Sequence, residues 1–188
     1  MSSNTLSRTL NDVGLAAWFG GTLANAVALN PAAGAADSPS GVGSVANTGW
    51  DRWTPVNAAA IGAHLVGSTG LLLGNKGRVV GQRGVASTSL VKTALTGAAI
   101  GVTAYSRMLG RRVSADTQVP AESGTEPSTR TPRDVAEAQR KLKLLQWAVP
   151  ALTAAMIVLD ARLGEQQRPS NVVEGVLDKV TARVPGLS

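Results

Sequence analysis

The chain has 188 residues, a net charge of +6 and no cysteine, which excludes disulfides, thiolate nucleophiles and cysteine metal sites. Only 16% of its residues are charged, against about 25% in soluble domains. The apolar fraction is mostly Ala, Val and Leu, with one Phe, one Tyr and 21 Gly, a mixture suited to helices that pack closely in lipid.

The charges fall in blocks. Residues 1–12 form a polar lead containing Leu6 and Leu10. Val13 to Ala36 then carries no charge, between Asp12 and Asp37. A spanning helix needs about 20 mainly apolar residues, so a first span is predicted near 13–33. Arg8 upstream and Ala33-Gly34-Ala35 downstream also fit a cleaved signal peptide; the length of the run, Asn25, Asn30 and the weak basic lead argue against cleavage. The stretch 36–54, "ADSPSGVGSVANTGWDRWT", reads as a Gly/Ser-rich loop. Its Gly41-Val-Gly43 has no strand before it and no helix opening on it, so it is no dinucleotide fingerprint.

Trp50 and Trp53 border the next uncharged run and are expected as interfacial anchors. Thr54 and Pro55 supply an N-cap and a first turn for a second span near 55–75. That span ends in "VGSTGLLLGNKGR", which imitates a phosphate-binding loop. The imitation fails where the chemistry lies: Lys76 follows Asn75 rather than glycine, and Gly77 stands where Ser or Thr would meet Mg²⁺. It reads as a helix end running into a basic turn, with Lys76, Arg78 and Arg83 at lipid phosphates.

Thr93 to Ser106 is uncharged between Lys92 and Arg107. Its basic flanks can snorkel and extend it to a third span near 90–110, with Arg107 at the membrane interface. The Ser, Thr, Pro and Glu of 113–130 predict a flexible loop. Thr131-Pro132-Arg133-Asp134 has a capping pattern, and Arg133/Glu137 and Glu137/Lys141 add i,i+4 pairs. A long helix is therefore expected from Pro132 to about Leu163, crossing the membrane near 143–163, with Pro150 inside the span and Asp160 at its polar boundary. The segment 169–188 carries an N-x-x-E cap at Asn171 to Glu174. Val173, Val176, Leu177, Val180 and Val184 follow at helical spacing, an amphipathic helix for the membrane surface, a partner or the chain's own bundle.

Candidate chemistry is sparse. His64 is the sole histidine and has Ser68 one turn later. No orienting carboxylate lies nearby in sequence, and "GSTG" is not a nucleophile elbow. One histidine without cysteine supplies too few ligands for a metal site, so no metal and no cofactor is expected. Asn25, His64 and Ser68 are the residues from which a polar path would be built. Small residues are the stronger signal. Ala16, Gly20, Ala24 and Ala28 recur every fourth position, as do Ala59, Ala63 and Gly67; Gly97 and Gly101 form a GxxxG. Such stripes let another backbone approach, within the bundle or from another protein, and Gly20, Ala24, Gly67, Gly97 and Gly101 are the candidate packing residues.

The segments "GLAAWFGG", "WDRWTPVNAAAIGAH", "GRVVGQRG", "KTALTGAAIGVTAYSR" and "LKLLQWAVPALTAAM" resemble a group of small actinobacterial four-helix membrane proteins of unknown function. The resemblance implies an accessory subunit of a larger envelope complex, such as a lipid importer of the mammalian-cell-entry type or a respiratory assembly. It carries no site residues. The expected fold class is all-α: an integral membrane bundle of four transmembrane helices over 1–168, with a C-terminal amphipathic helix at 169–188. A soluble helical bundle is the alternative. The expected protein is a non-enzymatic, multi-pass subunit of the inner (plasma) membrane, with membrane lipids and other membrane protein subunits as partners and no nucleic acid. A small carrier or channel is the alternative function. The basic residues divide evenly between the two sides of such a bundle. The short, acid-free turn after the second span tips the expectation toward cytoplasmic termini.

Overall fold

The computed structural model describes residues 3–74, 85–115 and 119–165. Lys76, Arg78, Arg83 and the expected helix at 169–188 lie outside the described residues. The architecture is all-α apart from one small hairpin. Helix α1 (Ser3–Ala24) widens into a π-helical turn (Asn25–Leu29) and continues as α2 (Asn30–Ala33). Helix α3 (Pro39–Gly74) follows, then α4 (Val85–Val113), strands β1 (Ala121–Ser123) and β2 (Glu126–Pro127), and helix α5 (Arg133–Glu165).

Among the described residues three helices are long and apolar enough to cross a membrane: Asn4–Ala33, Pro39–Gly74 and Arg133–Glu165. Helix α4 has the length, at 29 residues, but is not one of the three. Thr88, Ser89, Thr93, Thr96, Thr103 and Ser106 dilute its apolar run.

Two regions expected as loops are ordered. Residues 39–54 are the first four turns of α3, so the span expected at 55–75 is the second half of a longer helix. Ser38 opens that helix: its Oγ accepts the Gly41 N–H at 3.1 Å and its carbonyl accepts the Val42 N–H at 3.0 Å. Thr54 is therefore no N-cap; its hydroxyl donates to the Trp50 carbonyl at 2.8 Å. Pro55 stands inside the helix, where it leaves the Asp51 carbonyl without its usual partner. Packing explains why so glycine-rich a stretch is helical, since Val42 and Ala46 bury with Ala33 and Ala121. The same contacts order part of the expected flexible loop. The two strands pair antiparallel, Ala121 opposite Pro127 and Ser123 opposite Glu126. Thr131 Oγ1 donates to the Pro120 carbonyl, Gly124 N–H to the Asn30 carbonyl at 3.0 Å, and Lys143 pairs with Glu126. Helix α5 begins and ends near its expected limits and runs through Pro150.

The long helices alternate in direction. Helix α1 packs most closely on α3 and α4 on α5, with α1 and α5 joining the two pairs. Where the pairs meet, Leu15, Trp18, Ala60, Ala99, Val149 and Met156 form the apolar core. The α1/α3 seam depends on two glycines. A Cβ on Gly14 would lie 2.5 Å from the Ala60 carbonyl oxygen and from the His64 nitrogen, and one on Gly67 would strike the Asn11 nitrogen. These backbones touch directly, the contact that stabilises helix pairs in lipid.

The register of the seam divides the two alternatives that the small-residue stripes left open. Gly67 packs within the bundle, whereas Ala16, Gly20, Ala24 and Ala28 all face outward. Gly14 and Gly21 take their place, the latter under the Trp53 ring. A stripe repeating every four residues drifts around a helix of 3.6 residues per turn, so spacing alone did not fix which small face turns inward.

Candidate functional site: a polar knot joining four helices

At the end of the bundle where α1 begins and α5 ends, each long helix contributes a polar side chain. Asn11 of α1 is the hub. Its Oδ1 accepts from Lys92 Nζ of α4 at 2.8 Å and from Ser68 Oγ of α3 at 2.6 Å. Its Nδ2 donates to Asp160 Oδ2 of α5 at 3.0 Å and to Asp12 Oδ1 at 2.7 Å. Lys92 Nζ also donates to Asp160 Oδ1 at 2.6 Å, and the two side chains are only 10% and 19% exposed. Both hydrogens and both lone pairs of the Asn11 amide are thus engaged. A charge drawn from water into an apolar bundle must be paired; here the pairing joins α4 to α5 and, through Asn11, to α1 and α3.

His64 lies directly below, fully buried. Its Nδ1 is 3.3 Å from the Asn11 backbone carbonyl, which only accepts, so that ring nitrogen carries the proton. Nε2 is then an acceptor, and among the described residues it has no partner. Trp18 packs beside it, ring centroids 6.3 Å apart, with its own Nε1 unpartnered, as is Asn57 Oδ1 on α3. Trp53 Nε1 on α3 and Thr103 Oγ1 on α4 are likewise unpartnered among the described residues, although buried polar groups are normally satisfied.

The opposite end is joined inside by neutral groups, with the Arg107–Asp51 and Lys143–Glu126 ion pairs at its surface. Asn30 Nδ2 donates to Gln146 Oε1 at 2.8 Å, and Trp50 Nε1 donates to Asn30 Oδ1 at 2.9 Å. The π-helical turn belongs to this end. Asn25 Nδ2 donates to the Gly21 carbonyl at 2.8 Å, and the Asn30 N–H reaches back five residues to the Asn25 carbonyl. Pro31, which lacks an N–H, follows at once; such wide turns relieve the helix near a missing donor.

The candidate residues of the sequence distribute as follows. Ser68 and His64 meet at Asn11. Asn25 does not join them: it lies fourteen residues along the helix, roughly 21 Å away, beyond Leu15 and Trp18 of the apolar core. Trp50 and Trp53, expected as interfacial anchors, are half-buried and make contacts within the bundle. Trp50 hydrogen-bonds inward to Asn30 and Trp53 covers Gly21, because the helix they occupy continues through the expected loop and turns them toward α1. Arg107 pairs with Asp51 at 3.0 Å near the surface. Among the described residues, Gly20, Gly97 and Gly101 have nothing within 4 Å of an added Cβ, and Ala24 is exposed.

Three members of the knot, Asn11, Lys92 and Asp160, escaped the sequence reading. Lys92 was expected as a snorkelling flank, Asp160 as a boundary acid and residues 1–12 as a polar lead. Helical phase held the signal: Lys92 shares a face with Leu95, Thr96 and Ala99, and Asp160 with Met156 and Thr153, all core-facing positions.

These features define an all-α helical bundle with three helices able to cross a membrane. No family model, no curated protein and no solved structure matches the chain.

Proposed function

We propose that this chain is a non-enzymatic, multi-pass subunit of the inner (plasma) membrane that packs against other membrane helices. In this reading α4 is a fourth span, and protein rather than lipid covers its small outer face. The observation that carries the reading is the open glycine surface. Among the described residues, Gly20, Gly62, Gly97 and Gly101 would each meet nothing within 4 Å on gaining a Cβ, whereas Gly14 and Gly67 are closed against backbone. Small residues facing outward on long apolar helices allow a further helix to approach. The resemblance to small actinobacterial four-helix proteins extends this to an accessory subunit of an envelope complex, such as a lipid importer or a respiratory assembly. Affinity purification in mild detergent, with identification of co-purifying membrane proteins, tests it. Recovery of a monomer with transport activity would contradict it.

A second reading, a small carrier or channel, draws on the unpartnered Nε2 of His64 beside Trp18 Nε1 and the Lys92–Asp160 pair. Buried ionisable groups in membrane helices often line such paths. The apolar core between His64 and Asn25 opposes it. Complementation of a deletion strain by His64→Ala separates the two. The subunit reading expects function to survive, and loss at normal protein level favours the path.

A further inference from the structure

At the end of the bundle opposite the knot, Leu109 and Val113 of α4 bury with Val135 and Ala138 of α5. This packing brings two basic segments together. Arg111 and Arg112 are exposed in the last turn of α4, and Arg140 is exposed on α5. The nearby carboxylate, Glu137, is already held by Lys141 at 2.6 Å, with Arg112 and Arg140 acting on it electrostatically. Among the described residues Arg111, Arg112 and Arg140 form no ion pair, so the surface carries excess positive charge. Toward the middle of the bundle the same two helices expose Tyr105, Met108, Leu144 (76%) and Trp147 (50%). Exposed aromatics followed by arginines mark the passage from acyl chain to headgroup.

We infer that Arg111, Arg112 and Arg140 form a binding surface for the phosphate headgroups of anionic phospholipid. The inference rests on the membrane reading above. Guanidinium groups bind phosphate oxygens through paired hydrogen bonds, and the surface is complementary in charge to an anionic leaflet. Tyr105 and Trp147 set its depth.

The chain has no cysteine, so Leu144→Cys gives a single site for a bimane fluorophore beside the arginines. The labelled full chain is reconstituted in matched vesicles of phosphatidylcholine and phosphatidylglycerol, with bromines on one lipid or the other. We expect quenching to report a local phosphatidylglycerol excess of about fivefold or more, falling to parity in R111Q/R112Q/R140Q. Equal quenching by both lipids overturns the inference and leaves the arginines to an acidic protein. An excess that survives the triple substitution overturns it as well. A fluorophore quenched by neither lipid places this face outside the bilayer, and the membrane reading then fails first.

Discussion

Glycine does opposite things on two faces of this bundle. Along the α1/α3 seam, Gly14 and Gly67 leave no room for a methyl group, because the facing backbone occupies that space. On α4, Gly97 and Gly101 have nothing within 4 Å of an added Cβ among the described residues. The seam is further fixed at its end by Asn11, which receives Ser68 from α3 and Lys92 from α4; no such link reaches the open face of α4 among the described residues. One residue type, at similar spacing, thus closes the protein on itself in one place and leaves a surface in another. The two differ in phase: Gly67 lies on the face of α3 that carries His64 toward α1, whereas Gly97 and Gly101 lie off the face of α4 that carries Lys92 and Ala99 inward.

The largest effect expected from breaking this arrangement is in the knot. Lys92→Met alone leaves Asp160 uncompensated in a low-dielectric interior and should lower stability by about 3–5 kcal/mol. The double variant K92M/D160L, which removes both charges, should recover most of that. Unfolding titrations in detergent measure both; a double variant as unstable as the single would show that the pair is not coupled. Next comes the seam. Gly67→Ala drives a methyl group into the Asn11 backbone and should cost about 1–3 kcal/mol. An unchanged unfolding midpoint would mean that the helices are farther apart than described. The neutral hydrogen bonds at the opposite end should respond less. Asn30→Ala strands the Trp50 N–H and the Gln146 carbonyl, a loss of about 1 kcal/mol, since hydrogen bonds between membrane helices are worth about 0.6 on average. A loss as large as that of Lys92→Met would make the two ends equivalent. Smallest of all, Gly97→Ala should alter the stability of the isolated chain by less than about 0.5 kcal/mol.

The helices were largely legible from charge-free runs, and α5 from its Thr131-Pro132 start. The knot was not. Lys92 and Asp160 sit at the ends of their apolar runs, where a charge ordinarily reaches water, and only the phase they share with Ala99 and Met156 turns them inward. The helical reading of 39–54 was hidden for a different reason. Gly41, Gly43 and Gly49 weaken local preference, and the contacts of Val42 and Ala46 with the distant Ala121 overcome it. The small residues of α1 are legible from composition, but spacing does not tell which of them face α3: Gly14 and Gly21 do, while Gly20 and Ala24 face outward.

The measurement that bears most directly on the account is a comparison of G97L/G101L with the native chain. Each is purified in mild detergent, and its unfolding midpoint and co-purifying membrane proteins are determined. The account predicts an unchanged midpoint, because an added Cβ at either glycine meets nothing within 4 Å among the described residues, together with loss of the partner that native protein retains. A chain that no longer folds, or a partner still bound in full, would contradict it.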